Sequence, residues 1–458
     1  MLGIVVSRAD SASQHIGEHL RDLVEWRTAE DGSRPDGEGG GTVYRRDGVE
    51  LRTFEAIHLD LDDVANAFGT VDDGPEHDPH LLAFASRHAG ETGPLLTAHH
   101  TGNFGPAEFG GADGSLARAC PNAQRVVFDA LDEFAPEGYE VGLECTHHGP
   151  SEVGVPSMFV EVGSDEPQWD DPAAARAVAR AILELGGVDA DAPLENGARR
   201  HLVGFGGGHY VPRFERVVRE TDWAVGHIGA DWALDAMGDP GDSEAVIERA
   251  FAQSAAEYAL LEADRPDLGE TIERLGYRVV DETWVRETSG VPLGLVERLE
   301  DRITTVDDGL RFGDAADDFD GEFVVASIGA ELLARASGID REAARAAVAR
   351  TAVAFDTDQN GTEVAGPVAL ADDGDRERIV DDLADVLGQS YDSVEREGGT
   401  LVARETAFDP ALARELGVPE GPKFGQLSAG RAVEIDGEEI TPDEVTRQQT
   451  DEFPVRNR

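Results

Sequence analysis

Tyr139-Glu140-Val141-Gly142-Leu143-Glu144-Cys145-Thr146-His147-His148-Gly149-Pro150 joins a short alternating run to a paired histidine and a Gly-Pro turn. The first five residues alternate as a half-buried strand does. Two imidazoles between a carboxylate and a turn are poor core material and good material for a metal or a general base. Two other stretches have the same character: TAHHTGNFG at 97–105 and GFGGGHYVPR at 204–213. In each, an apolar run ends in His and Gly, as active-site loops at strand ends do.

Outward from these loops, residues 2–6 read as a buried strand and 11–26 as a helix with Ile16, Leu20, Leu23 and Val24 on one face. Residues 30–41 read as a loop, 53–59 as a strand ending near His58, and 78–84 as a helix. Strands are expected at 95–98, 157–162, 202–205 and, last, 224–227, and helices at 115–134 and 171–185. Alternation of this kind predicts an α/β fold, a three-layer, mainly parallel sheet with its chemistry at the C-terminal strand ends. His99/His100, His147/His148, His209 and His227 all fall there.

Residues 241–261 read as helical and 271–281 as a helix–strand junction. The texture changes near 291. Residues 307–321 have linker composition, and 322–350 and 376–388 read as helices. The expected division is a catalytic domain at 1–290 and a smaller α+β C-terminal extension at 291–458. Asp356-Thr357-Asp358-Gln359-Asn360-Gly361 imitates the start of an EF-hand loop, but Pro367 stands where a bidentate Glu is needed, so no calcium is expected.

The chain carries 39 basic and 93 acidic residues, a net charge of −54, and its only lysine is Lys423. Such a surface suits concentrated salt, where the Debye length falls to about 3 Å at 1 M; the plainer alternative is an acidic protein of dilute media. Acidity of adaptive origin does not exclude a nucleic-acid substrate, so the placement of individual arginines matters more than the total. Cys120 and Cys145 form neither a disulfide framework nor a zinc knuckle. No run approaches a membrane span and the start does not read as a signal peptide, so a cytoplasmic, membrane-free monomer is expected.

HHTGNFG at 99–105, THHGP at 146–150, GFGGGHY at 204–210 and the opening GIVVSRADSAS together resemble the archaeal- and plant-type D-aminoacyl-tRNA deacylases, in order, over about residues 1–270. The resemblance implies hydrolysis of the ester between a D-amino acid and the tRNA 3′ end. It also implies dependence on zinc, two ions being conceivable, and a phosphorylase/hydrolase-like α/β fold. Residues beyond 290 exceed the expected family length. Within them, 412–445 resembles a segment near the end of ribonuclease Z-type proteins, without that enzyme's HxHxDH metal motif.

An aminoacyl ester needs a positioned water, a base and oxyanion stabilisation, and zinc needs three or four N, O or S ligands. The ligand candidates are His100, Glu144, His147, His148 and His209. Neighbours on an extended segment point to opposite sides, so one member of each His pair is expected at the metal unless a turn re-aims the other. The working assignment is His100, His147 and His209 as ligands, His148, His99 and Glu144 as catalytic groups, and Gly206, Gly207, Gly208, Asn103 and Arg213 as substrate contacts. Plainer readings stand beside these. Gly206–Gly208 makes only a tight turn, Arg213 pairs with a surface acid, Cys145 is a buried thiol and His227 an ordinary strand-end histidine. His15, His19, His77 and His201 read as surface or structural, while His80 and His88 stay open. Against the deacylase stand a zinc amidohydrolase or peptidase acting on a small substrate and a non-enzymatic metal- or nucleotide-binding module. An Arg-lined groove beside the His cluster favours the first, a deep closed pocket the second, and mutually distant His loops the third.

Overall fold

The structure, a computed structural model, describes residues 1–71, 78–317 and 319–455. His77 lies outside the described residues. The chain forms two compact units, Met1–Ser289 and Gly290–Arg458.

The first unit is α/β. Its strands are β1 (Leu2–Ser7), β2 (Arg27–Asp31), β3 (Gly41–Arg46), β4 (Val49–Phe54), β5 (Leu81–Arg87), β6 (Leu95–His99), β7 (Glu140–Leu143), β8 (Ser157–Gly163), β9 (His201–Phe205), β10 (Ala224–Gly229), β11 (Tyr258–Leu261) and β12 (Arg278–Val280). The single sheet expected from the sequence divides into two. One is eight-stranded and mixed, in the order β2-β3-β4-β1-β5-β8-β6-β7; the other is four-stranded, in the order β10-β9-β11-β12. The four-stranded sheet is parallel throughout. In the larger sheet β1, β4, β5 and β8 run together, and β6 runs against β8.

Several local expectations yield to tertiary context. Residues 81–87 form a central strand, not part of a helix opened by Asp78-Pro79. Leu81 to Phe84 are fully buried, as a strand between two neighbours requires. The strand expected at 53–59 ends at Phe54, and His58 sits in a 3-10 turn. The helix expected from 115 starts at Pro121, which fits a first helical position. Residues 241–261 hold a helix, Glu244–Ser254, and then β11, so β10 is not the last strand. The helices Ser11–Leu23 and Pro172–Glu184 form as expected, each opened by an aspartate side chain accepting a backbone N–H.

The second unit contains β13 (Leu310–Phe312), β14 (Val324–Ser327), β15 (Ala354–Asp358), β16 (Glu363–Leu370), β17 (Ser393–Glu397), β18 (Thr400–Phe408), β19 (Val433–Ile435), β20 (Glu438–Ile440) and β21 (Thr446–Pro454). All their described pairings are antiparallel. Residues 307–321 are no linker, because β13 pairs with β15. The EF-hand imitation is the β15–β16 hairpin turn, with Gln359 and Asn360 at φ 51° and 57°. Residues 412–445 enclose a small core of their own, including Ala413, Leu427 and Val445. No helix among the described residues is long and apolar enough to cross a membrane.

Candidate active site

The two sheets of the first unit meet behind the paired histidines. Glu144 forms a β-bridge with Tyr210, Cys145 N–H donates to His209 O (2.9 Å), and Thr146 N–H donates to Ile228 O (2.8 Å). This stitching places the loop after β7 beside the loop after β9. Because β6 opposes β8, His99 at the end of β6 lies beside Phe159 in the middle of β8. The site therefore surrounds β8 where the strand direction reverses, and is not a rim of parallel C-terminal ends.

His99, His147 and His148 each present one ring nitrogen, and the three nitrogens lie within 4.8 Å of one another. Each Nδ1 faces a carbonyl: His99 to His100 O (3.1 Å), His147 to Cys145 O (2.9 Å), His148 to Gly149 O (2.8 Å). A carbonyl only accepts, so each ring carries a proton on Nδ1, and Nε2 is the nitrogen left for a metal. That is the tautomer a metal needs, held by the backbone as an outer shell holds it. Nε2 of His99 is buried with no hydrogen-bond partner. Burial, then the charge of His99, pushes His147 well below the usual imidazole range; the same causes bring His148 to about 4. Both are neutral at pH 7. Burial pushes His99 down as well, but Glu161, 3.8 Å from Nε2, outweighs it and draws a proton there. A cation at Nε2 would satisfy the same carboxylate, so this donor set fits a metal ion.

Both members of the 147/148 pair reach the cluster because His148 adopts φ 46°. A left-handed non-glycine residue costs about 1–3 kcal/mol and is retained where function needs the side chain re-aimed. The 99/100 pair behaves as alternation requires, but with the roles opposite to those expected. His99 faces the cluster. His100 points away, its Nδ1 to Gly226 O (3.1 Å) and its Nε2 accepting from Cys120 N–H (3.1 Å), so no lone pair remains for a metal. His227 is likewise satisfied, between Ala117 O (2.7 Å) and Thr146 Oγ1 (3.0 Å).

A second layer of charge adjoins the cluster. His209 Nε2 and Glu144 Oε2 are 2.7 Å apart, and His88 Nδ1 lies 3.1 Å from Glu144 Oε1 and 3.7 Å from Glu161 Oε2. His88 Nε2 meets Tyr210 OH at 2.8 Å. Burial works against a charged His88, but the two carboxylates outweigh it and hold its pKa at about 11. Burial alone would raise Glu144, and the hydrogen bonds from His209 and His88 hold it well below its ordinary value instead. Glu161 and Tyr210 were not singled out from the sequence. The available signal was Glu161 itself, an acid inside the apolar strand SMFVEVG, which burial obliges to find a partner.

The remaining candidates serve elsewhere. Gly206 and Gly207 adopt φ 109° and 86°, and a Cβ on Gly207 would stand 2.2 Å from Glu262 Oε2. A carboxylate thus occupies the face expected to contact substrate, and the Gly206–Gly208 turn serves to deliver His209. Arg213 donates to Leu261 O (2.8 Å) and pairs with Glu282 (3.3 Å), the surface-acid alternative. Asn103 donates to Gly110 O (3.0 Å), tying down its own loop. Burial, then Glu144, pushes the Cys145 thiol up to about 12, so it stays a protonated, buried group. His15 and His80 each reach a backbone carbonyl, and His201 accepts from Ala192 N–H.

A cleft of about 350 Å³ opens over the cluster, lined by Asp10, His58, Arg87, His88, Phe109, His147, His148, Phe159, Glu161 and His209 among others. The sequence pattern of the D-aminoacyl-tRNA deacylase family matches residues 75–280, which carry most of this lining. A D-aminoacyl-tRNA deacylase of Haloarcula marismortui is 61% identical over 452 residues, covering 98% of each chain.

The chain belongs to the D-aminoacyl-tRNA deacylase family.

A deacylase of Halorubrum lacusprofundi is 55% identical, over 99% of this chain and 97% of its own. One of Methanosphaerula palustris is 33% identical, over 96% and 95%. The resemblance expected to stop near residue 270 therefore continues through the second unit in these deacylases. A crystal structure of a conserved protein of unknown function superposes with a TM-score of 0.54 at 28% identity. It covers 63% of this chain and 98% of its own.

Proposed function

We propose that this chain hydrolyses the ester of D-aminoacyl-tRNA to D-amino acid and tRNA, with one zinc ion held by Nε2 of His99, His147 and His148. The observation that carries the reading is the convergence of those three Nε2 atoms, each ring fixed by an Nδ1–carbonyl contact, with His147 and His148 lining the cleft. Zinc bound there would polarise the ester carbonyl and bring a water's pKa down to about 7.

The protein groups supply the rest. His209, oriented by Glu144 and 35% exposed at the cleft, takes the proton from the attacking water. His88, kept cationic by Glu144 and Glu161, stabilises the developing oxyanion and, through Tyr210, the departing 3′-oxygen. His88 uses both ring nitrogens in these contacts, so the overlapping group His88, Glu144 and His209 offers a second ion too few free donors. Layering of helices over the sheets in the manner of phosphorylase-like hydrolases suits this reading. Residues 1–290 form the catalytic domain on this account, and 291–458 contribute no ligand.

The test is deacylation of D- and L-tyrosyl-tRNA in molar salt, before and after exhaustive chelation. The D-ester is hydrolysed and the L-ester spared, chelation abolishes turnover, and zinc restores it. Turnover that survives removal of all metal overturns the zinc assignment; equal turnover of both esters overturns the chiral one.

A further inference from the structure

Among the described residues of the first unit, three large apolar side chains are exposed, Phe109, Leu194 and Trp232. Only Phe109, 66% exposed, lines the cleft over the histidine cluster. Its exposure is not that of a loose loop. Asn103 Nδ2 holds Gly110 O, Ser151 Oγ accepts from Ala112 N–H, and Gly149 N–H donates to Phe109 O (2.8 Å). Gly110 and Gly111 both take left-handed backbone, and added Cβ atoms would strike Leu59 O at 2.4 Å and Ser151 Oγ at 2.9 Å. The backbone that carries the exposed phenyl ring is thus held in place, bonded to Gly149, the residue after His148.

Arg87 lines the same cleft. In a chain of −54 net charge its guanidinium makes no ion pair among the described residues, and it lies over the Trp169 ring at 5.1 Å. Trp169 is fixed in turn by its indole N–H to His88 O (2.9 Å). An arginine with no ion pair and an exposed aromatic ring lining one cleft suit one nucleotide: π-face for base, guanidinium for phosphate. Salt sharpens the case. Concentrated salt weakens phosphate attraction through counterion release, whereas stacking on an aromatic ring does not depend on it.

Building on the deacylase reading, we propose that Phe109 is the stacking platform for the 3′-terminal adenine of tRNA and that Arg87 contacts the phosphate of that nucleotide.

The experiment measures KM and kcat for D-tyrosyl-tRNA in molar salt, together with inhibition by adenosine 5′-monophosphate and by adenosine. Phe109→Ala raises KM and both inhibition constants about tenfold, one stacking contact, while kcat stays within about twofold; Phe109→Trp restores all three. Arg87→Gln weakens inhibition by the monophosphate and leaves that by adenosine alone. Wild-type KM and inhibition constants in Phe109→Ala overturn the platform, and so does a fall in kcat that Trp does not rescue. Equal weakening of both inhibitors in Arg87→Gln overturns the phosphate contact. Absence of any hydrolysis by the unaltered protein is a separate result, which removes the deacylase reading and this inference with it.

Discussion

Glu161 is the residue on which the charge arrangement turns, since it faces His88 and His99 at once from a buried strand. Glu161→Gln keeps the shape and removes the charge. His88 then loses one of the two carboxylates that hold it cationic, and deacylation should fall about a hundredfold or more, in line with loss of an oxyanion-stabilising group. A melting temperature unchanged beside that loss would locate the effect in chemistry, whereas full activity would show that His88 needs only Glu144. The histidine loops were legible at this scale because His beside Gly and Pro has no packing use. The partners of each ring were not. Nothing local shows that His100 meets Gly226 O and Cys120 N–H, contacts 126 and 20 residues away. Nor does a sequence show that His148 turns left-handed and so joins His147 at one point.

At the scale of elements, the loop Gly149-Pro150 and the loop carrying Phe109 close on each other with no spare volume. A Cβ on Gly149 would lie 2.3 Å from Gly111 N and 2.4 Å from Gly110 C, both backbone atoms. Gly149→Ala should therefore cost about 2 kcal/mol, as overpacking does, and lower activity by displacing His148. Denaturation midpoints and turnover in molar salt check both parts, and wild-type values for both would show that the loops can separate freely. The alternation of strands and helices was readable because apolar runs and helical spacing are local. The antiparallel entry of β6 beside β8 was not readable, because direction within a sheet is set by the long connections and not by the strand residues. The misread stretch at 78–84 has the same origin. Its Asp-Pro start favours a helix locally, while burial between β1 and β8 imposes a strand.

The whole molecule carries a net charge of −54, with 93 acids against 39 bases, most of the acids at the surface. Self-repulsion dominates where screening is weak, so the melting temperature should rise by at least about 5 °C between tens of millimolar and molar salt. A melting temperature independent of salt would mean that the acids are already neutralised by pairing within the fold. The haloarchaeal relatives accord with this reading. The stitching of Glu144 to Tyr210 and of Thr146 to Ile228 has a temporal meaning as well. His88, His99, His147 and His148 precede the strands that fix them, and the second sheet is completed only by β11 and β12. A chain still emerging from the ribosome thus owns most of its histidines without owning a centre. Turnover in a refolding or translation reaction becomes a clock for the docking of the two sheets, silent until the last of them has arrived.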